Sequence, residues 1–147
     1  GDTVMLTGPY GDFYPRPEAD GYIMIAGGSG LAPMRAIILD ALERGVDKEM
    51  WFFFGAVTKK DLYYVEYFTE LAEKHPNLHY VAALSAPLPE DEWTGQTGLI
   101  TEVVERNLQS VDGLHGLLCG SPGMINACIN VLKKKGLTED RIFFDKF

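Results

Sequence analysis

The sequence predicts an α/β fold in which helices cover both faces of one parallel sheet, a three-layer αβα sandwich. Short apolar runs alternate with amphipathic helical patterns along the chain. The run at residues 50–54, Met-Trp-Phe-Phe-Phe, is apolar at every position, which is typical of a strand buried on both faces. Strands that alternate with helices pair in parallel through right-handed crossovers, so we expect five parallel strands in a single sheet.

The elements follow from apolar spacing and from helix end signals. A strand at residues 22–26 leads through glycines into a helix at 32–44, whose first turn contains Pro33. The apolar run at 50–54 is the second strand, and His75-Pro76-Asn77 ends the helix that follows it. The other predicted elements are a strand at 4–6, a helix at 63–74, a strand at 78–84, a helix at 99–108, a strand at 114–119, a helix at 123–135 and a strand at 141–144, which is followed by a tail at 145–147.

Composition narrows the class of protein. A chain of 147 residues suits one domain, and its longest apolar runs are far shorter than the ~20 residues that span a bilayer. The net charge of −8 argues against a nucleic-acid partner. The two cysteines, Cys119 and Cys128, are too few for a disulfide framework or a metal cluster, which favours a reducing, cytoplasmic location and no metal site.

The turn at residues 27–30, Gly-Gly-Ser-Gly, is the strongest candidate site. Glycines at 27, 28 and 30 can take positive φ and let a bound group approach the backbone closely. The helix that follows presents free N–H groups and positive dipole, so the turn suits a phosphate. The common dinucleotide fingerprint is absent, because its third glycine would fall at Pro33. A purely structural glycine turn is the alternative.

The loops after the second and third strands are the other candidates. Ligands of parallel sheets bind beyond the carboxyl ends of the strands, where both loops lie. Residues 85–98 form a long polar segment with three consecutive acids and Trp93, which is either a binding loop or a solvated loop. After the second strand, Val57 offers no donor to a 2′-phosphate, whereas Thr58, Lys59 and Lys60 carry donors. On balance the pattern favours NADH over NADPH.

Three motifs in a fixed order carry a family resemblance. They are Gly-Gly-Ser-Gly-Leu-Ala-Pro at 27–33, Cys-Gly-Ser-Pro-Gly-Met at 119–124 and the terminal Phe147. Together they resemble the ferredoxin-NADP⁺ reductase superfamily, which implies a ferredoxin reductase-like nucleotide-binding domain. The resemblance implies catalytic roles at the nicotinamide and flavin contact for Cys119 and Phe147. It implies cofactor-binding roles for Gly27, Gly28, Ser29, Gly30, Ala32, Pro33, Gly55, Thr58, Asp91, Trp93, Gly120, Pro122 and Met124.

The first residues resemble the end of another domain of that superfamily. Gly-Pro-Tyr-Gly-Asp-Phe at 8–13 is similar to the segment that closes the flavin-binding barrel. The resemblance therefore implies that residues 1–20 are the last strand of a flavin-binding domain plus a linker, and that residues 21–147 are the NAD(P)-binding domain. The chain begins without Met, which also suggests a piece of a longer protein. We expect FAD to be bound mainly by the preceding domain.

Within the superfamily, Phe54-Gly55-Ala56, the loop at 91–95 and the ending at 144–147 resemble the flavin-containing F subunits of Na⁺-translocating NADH:quinone reductases. Those proteins usually have Arg where this chain has Val57, and an acid where it has Lys146. The resemblance implies an NADH-dependent flavin oxidoreductase that passes electrons to an iron–sulfur centre or quinone. Its partners would be the flavin domain and either a ferredoxin-like iron–sulfur domain or membrane subunits of the same complex, at the cytoplasmic face of the inner membrane. The fragment alone is expected to be inactive.

Other functions remain open at this point. The chain is also similar to reductase components of oxygenases, and a nucleotide-binding regulatory module without redox chemistry is a further alternative. Cys119 ends a predicted buried strand and is either the nicotinamide contact or a packing residue, whereas Cys128 is expected in the core. A serine hydrolase is disfavoured, because the turn fails the G-x-S-x-G pattern at Leu31.

Overall fold

The computed structural model describes residues 15–62 and 64–146. The predicted strand at 4–6, the motif at 8–13 and Phe147 lie outside the described residues. Within them, the strands are β1 Gly21–Gly27, β2 Glu49–Ala56, β3 Leu78–Leu84, β4 Gln96–Thr97, β5 Leu114–Gly120 and β6 Ile142–Lys146. The helices are α1 Leu31–Glu43, α2 Val65–Lys74, α3 Ile100–Asn107 and α4 Pro122–Lys134.

The described strands form one sheet in the order β4-β3-β2-β1-β5-β6, and every neighbouring pair is parallel. The chain moves outward from β1 to β4 and then returns to the other side of β1 with β5. The strand order therefore reverses between β1 and β5, and ligands of open α/β sheets bind in the crevice at such a switch point.

The prediction of five strands was wrong for the described sheet, which has six. The additional strand is β4, whose two residues pair with Ala83 and Leu84 on the outer edge of β3. A two-residue strand has no detectable apolar alternation, so only its position beside β3 defines it. The last strand also extends further than predicted, since Asp145 and Lys146 pair with Cys119 and Gly120 instead of forming a tail.

Helices cover both faces of the sheet, which confirms the three-layer arrangement. Met34 and Ile38 of α1 pack with Phe68 of α2 in one apolar cluster. The opposite cluster contains Val103 of α3 with Ile125 and Cys128 of α4. Strand β2 lies between the clusters, where Phe52, Phe53 and Phe54 are fully buried. This explains the uninterrupted apolar run, because both faces of a central parallel strand are covered.

Helix ends follow local chemistry. The Ser121 hydroxyl accepts the Met124 N–H at 3.4 Å, and Pro122 is the first helical residue of α4, as predicted. Helix α2 starts at Val65, later than the predicted residue 63, because Tyr64 is its N-cap with a left-handed φ of 64°. In the described part of the chain, no helix is both long and apolar enough to cross a membrane.

Candidate functional site

The turn between β1 and α1 combines one left-handed glycine with an open space. Gly28 has φ +55°, whereas Gly27 has φ −141° and Gly30 has φ −67°, so only one of the three glycines takes the positive φ that the sequence allows. A Cβ added to Gly28 would meet no described atom within 4 Å. The backbone at Gly28 therefore faces space that a bound group is able to occupy.

Gly30 is required for a different reason. A Cβ at this position would lie 2.2 Å from the carbonyl oxygen of Cys119, well inside van der Waals contact. The turn after β1 thus packs directly on the backbone at the end of β5. This contact places the candidate phosphate turn and Cys119 side by side.

At the start of helix α1, the Leu31 N–H donates to the Gly28 carbonyl and Pro33 has no N–H, so few free N–H groups remain in the first turn. That turn contains no acidic residue, and the helix N-cap, Gly30, provides no side-chain hydrogen bond in the described structure. The unpaired N–H groups of a helix N-terminus carry partial positive charge, which favours a nearby anion. The arrangement suits a phosphate group beside Gly28, with Ala32 exposed and Pro33 half-buried in the first turn.

Cys119 lies on β5 with its side chain fully buried. Burial, together with the neighbouring carboxylate of Asp145, raises the pKa of the Cys119 thiol to about 12. The thiol is therefore neutral at physiological pH. Because nucleophiles and metal ligands are thiolates, this cysteine is suited neither to nucleophilic attack nor to metal binding.

Asp145 is a site residue that the sequence interpretation missed. It pairs with Cys119 across β5 and β6, and burial raises the pKa of its carboxyl group. Its Oδ2 atom is inaccessible to solvent and has no hydrogen-bond partner among the described residues. One sequence signal was present, since Asp145 is an acid that directly follows the apolar residues Ile142–Phe144. The sequence pattern assigns Asp145 to a tail after the last strand and so gives its side chain no role.

The turn between β5 and α4 lies against the carboxyl ends of β1 and β5. A Cβ on Gly27 would lie 2.9 Å from the Met124 sulfur, and one on Gly120 would lie 2.9 Å from the Met124 methyl carbon. Met124 therefore covers the two glycines that end β1 and β5. The structure brings these predicted residues together with Gly30 and Cys119 at one edge of the sheet, and Pro122 is exposed at the start of α4.

The remaining predicted residues lie after β2 and β3. Gly55 pairs with Gly27 in the register of β1 and β2, so the end of β2 is adjacent to the turn. Thr58 Oγ1 is 3.4 Å from Asp61 Oδ2. Asp91 accepts two backbone N–H groups, and Trp93 Nε1 donates to the Gln96 carbonyl at 2.7 Å. These last two side chains thus make hydrogen bonds within the protein.

Cys128 and His115 lie away from this edge of the sheet. Cys128 is buried in α4, as predicted, and burial raises its pKa to about 12. His115 is buried near the opposite end of β5 from Cys119, with its ring 5.7 Å from that of Phe143. Burial lowers the pKa of His115; the charges of Arg141 and Arg16 act in the same direction, and those of Glu18 and Asp140 oppose them.

Comparisons with known proteins identify the family of this chain. Residues 24–130 match the model of the oxidoreductase NAD-binding domain family. The chain is 40% identical to the F subunit of the Na(+)-translocating NADH-quinone reductase of Idiomarina loihiensis, over all of this chain and 37% of that protein. It is 42% identical to the phenol hydroxylase P5 protein of Acinetobacter pittii, over all of this chain and 42% of that protein. The chain thus spans about two fifths of the length of these relatives.

Solved structures show the same fold. The cytochrome P450 reductase GcoB of Amycolatopsis superposes with a TM-score of 0.81 at 32% identity, covering 92% of this chain and 41% of that one. The cytochrome b5 reductase domain of Ulva prolifera nitrate reductase superposes with a TM-score of 0.78 at 26% identity, covering 89% of this chain and 54% of that one. The resemblance found in the sequence motifs is therefore confirmed, and the chain belongs to the oxidoreductase NAD-binding domain family.

Proposed function

We propose that this chain binds NADH and holds its nicotinamide for hydride transfer to a flavin that another domain of the same protein carries. One observation supports the proposal most strongly. The open, left-handed turn at Gly28 packs, through Gly30, against the strand end that carries the buried neutral thiol of Cys119. A phosphate-binding turn and a non-ionised contact residue at one sheet edge suit dinucleotide binding followed by hydride transfer.

The residues of this chain act by binding and orientation. When bound, NADH supplies the hydride and FAD accepts it, so the protein needs no acid or base for that step. The turn at 27–30 and the first turn of α1, with Ala32 and Pro33, hold the pyrophosphate. Cys119, Gly120, Pro122 and Met124 line the nicotinamide end. The neutral Cys119 thiol packs at the nicotinamide end without forming a bond to the ring, and Phe147 keeps the flavin-covering role that the family resemblance implies.

The adenosine end of the site favours NADH over NADPH. Gly55, Thr58, Asp91 and Trp93 form this end. Val57 is 55% exposed and offers no hydrogen-bond donor where a 2′-phosphate would require one. Lys59 and Lys60 are exposed there, but Asp61 and Asp91 add negative charge to the same two loops. The negative charge of these two loops repels a 2′-phosphate, and this repulsion requires no contact between either carboxylate and the nucleotide.

The same proposal assigns the domains, the partners and the location of the complete protein. Residues 1–20 complete a flavin-binding domain and residues 21–147 form the NADH-binding domain. Further partners are an iron–sulfur domain of the ferredoxin type or membrane proteins of the same complex, and the location is the cytoplasmic face of the membrane. The NADH-quinone reductase relative supports this assignment, since it is 40% identical to the whole of this chain.

A second candidate is the reductase component of an oxygenase. The observation that favours it is the 42% identity with the phenol hydroxylase P5 protein. Both candidates share NADH-to-flavin hydride transfer and differ in the electron acceptor. A regulatory nucleotide-binding module is less well supported, because sensing requires no buried thiol at the nicotinamide end.

The test uses the complete protein, purified with its flavin. Under anaerobic conditions, NADH should bleach the flavin absorbance within seconds, and NADPH at the same concentration should act more slowly. Nucleotide binding without any loss of flavin absorbance would support a regulatory module and refute the proposal. Subsequent addition of a quinone or of an oxygenase component would then separate the two electron acceptors.

A further inference from the structure

Two loops at the carboxyl edge of the sheet are joined along part of their length. The β2 loop is residues 57–61 and the β3 loop is residues 85–95. Backbone hydrogen bonds from Ser85 to the Ala56 carbonyl and from Ala86 to the Val57 carbonyl, both 2.9 Å, continue the pairing of β2 and β3 into these loops. Beyond Ala86, no backbone-to-backbone hydrogen bond joins the two loops in the described residues.

Asp91 connects the loops again at their outer ends. Its Oδ2 accepts the Leu88 N–H at 2.9 Å, which closes the short 3₁₀ turn Pro89–Asp91. The same oxygen accepts the Lys59 N–H of the β2 loop at 3.2 Å. One carboxylate therefore holds its own loop and the neighbouring loop together, and we call this pair of hydrogen bonds the Asp91 clasp. Hydrogen bonds with an ionised acceptor are stronger than neutral ones.

Apolar packing does little to hold these outer ends. Neither the 3₁₀ turn at Pro89–Asp91 nor the one at Lys59–Asp61 contains a buried residue. The far end of the β3 loop has its own anchor, since Trp93 packs on the core and donates to the Gln96 carbonyl at 2.7 Å. Among the described residues, the Asp91 clasp is therefore the polar contact that fixes residues 88–91 of the β3 loop to the β2 loop.

The neighbouring acids lack this arrangement. Glu90 and Glu92 are exposed, and the described structure shows no hydrogen bond or ion pair for either side chain. Of the three consecutive acids, Asp91 alone accepts a hydrogen bond from another loop in the described residues. The acidic segment therefore contains one structurally engaged carboxylate between two solvated ones.

We propose that Asp91 is a positioning residue, which joins the β2 and β3 loops into one preformed side of the nucleotide crevice. This inference rests on the proposed function, because it assigns the two loops to the adenosine end of NADH. Asp91 acts through the backbone of Lys59 and does not contact the nucleotide itself. The clasp thereby lowers the cost of ordering the loops on binding, without affecting the hydride step.

The experiment compares three variants of the complete flavin-loaded protein. Asp91→Ala removes both hydrogen bonds, Asp91→Asn keeps an oxygen acceptor without the charge, and Glu90→Ala removes an adjacent solvated acid. The KM for NADH and the flavin reduction rate at saturating NADH are measured for each. Hydrogen–deuterium exchange of peptides covering residues 57–62 and 85–92 reports the loops directly, whether or not NADH reacts.

For Asp91→Ala we expect a KM about tenfold higher, with a saturated rate within about twofold of the parent. Exchange at the Lys59 and Leu88 amides should become faster. Asp91→Asn should recover most of the affinity and the exchange protection, and Glu90→Ala should match the parent.

The idea fails if Asp91→Ala retains the parental KM or the parental protection of the Lys59 amide. It also fails if Asp91→Asn is as impaired as Asp91→Ala while the loops stay protected, since the charge would then act on the nucleotide directly. A parent protein that NADH does not reduce would refute the proposed function instead, and amide exchange would still decide whether the clasp exists.

Discussion

Substitution of Gly28 by alanine tests the phosphate turn most directly. Gly28 has φ +55°, and its added Cβ would meet no described atom within 4 Å. The change therefore introduces backbone strain and a methyl group in the space assigned to the pyrophosphate, but no clash within the protein. Any loss of NADH affinity beyond the effect of strain would come from that methyl group.

The magnitude of each effect follows from the structure. A left-handed alanine costs about 1–2 kcal/mol of folding free energy, which lowers Tm by about 2–8 °C for a domain of this size. Displacing the pyrophosphate from the turn removes hydrogen bonds to a charged acceptor, worth about 1.5–3 kcal/mol. That loss corresponds to a Kd for NADH about 10- to 150-fold higher.

Gly45 offers a matched control. It also has a positive φ, +77°, and a Cβ there would meet no described atom within 4 Å, but it follows α1 at the opposite edge of the sheet. Gly45→Ala should therefore cost similar stability while leaving the Kd for NADH unchanged. The Kd obtained from stopped-flow flavin reduction at increasing NADH concentrations and the thermal melting of both variants provide the comparison.

Two outcomes would refute this reasoning. If folded Gly28→Ala bound NADH with the affinity of the parent, the pyrophosphate would lie elsewhere. If Gly45→Ala lost as much affinity as Gly28→Ala, the effect would be one of general stability and would carry no information about the turn.

Two further predictions concern buried groups at the two ends of β5. Cys119→Ala should slow flavin reduction at saturating NADH at least about tenfold, because the thiol orients the nicotinamide, while the Kd for NADH stays within about threefold of the parent. Cys128→Ala is the control, and equal stopped-flow rates for the two variants would make Cys119 a packing residue. His115 has a lowered pKa in the folded state, so its unfolded form binds a proton first as the pH falls below 6.5, and folding stability decreases. His115→Gln should reduce that decrease in urea unfolding between pH 7.5 and 5, and parallel pH profiles would contradict it.

Much of the fold is determined locally and was predicted from the sequence. Apolar runs and helical spacing located the main strands and helices, because burial on a sheet or a helix face requires those periods. Ser121 and Pro122 marked the start of α4 for a similarly local reason, since the cap and the first helical residue are adjacent in sequence. The glycines at 27, 28 and 30 identified the turn, although only Gly28 has a backbone conformation that few other residues tolerate.

Contacts between distant segments could not be derived in this way. The two-residue β4 exists because β3 leaves a free edge, and Asp145 reaches Cys119 because β6 pairs with β5 in one particular register. The sequence suggested that Gly30 is needed for backbone flexibility. In the structure it is needed because a side chain at this position would overlap the Cys119 carbonyl.

Asp91 shows the same limit within the candidate site. In the sequence, Asp91 is one of three consecutive acids with no feature that separates it from the other two. In the fold, it is the one whose carboxylate accepts the Lys59 N–H in the described residues. Periodicity and backbone preference act over a few residues and can be derived from the chain. Strand register and loop-to-loop hydrogen bonds depend on how segments distant in the chain pack together, and only the tertiary structure determines them.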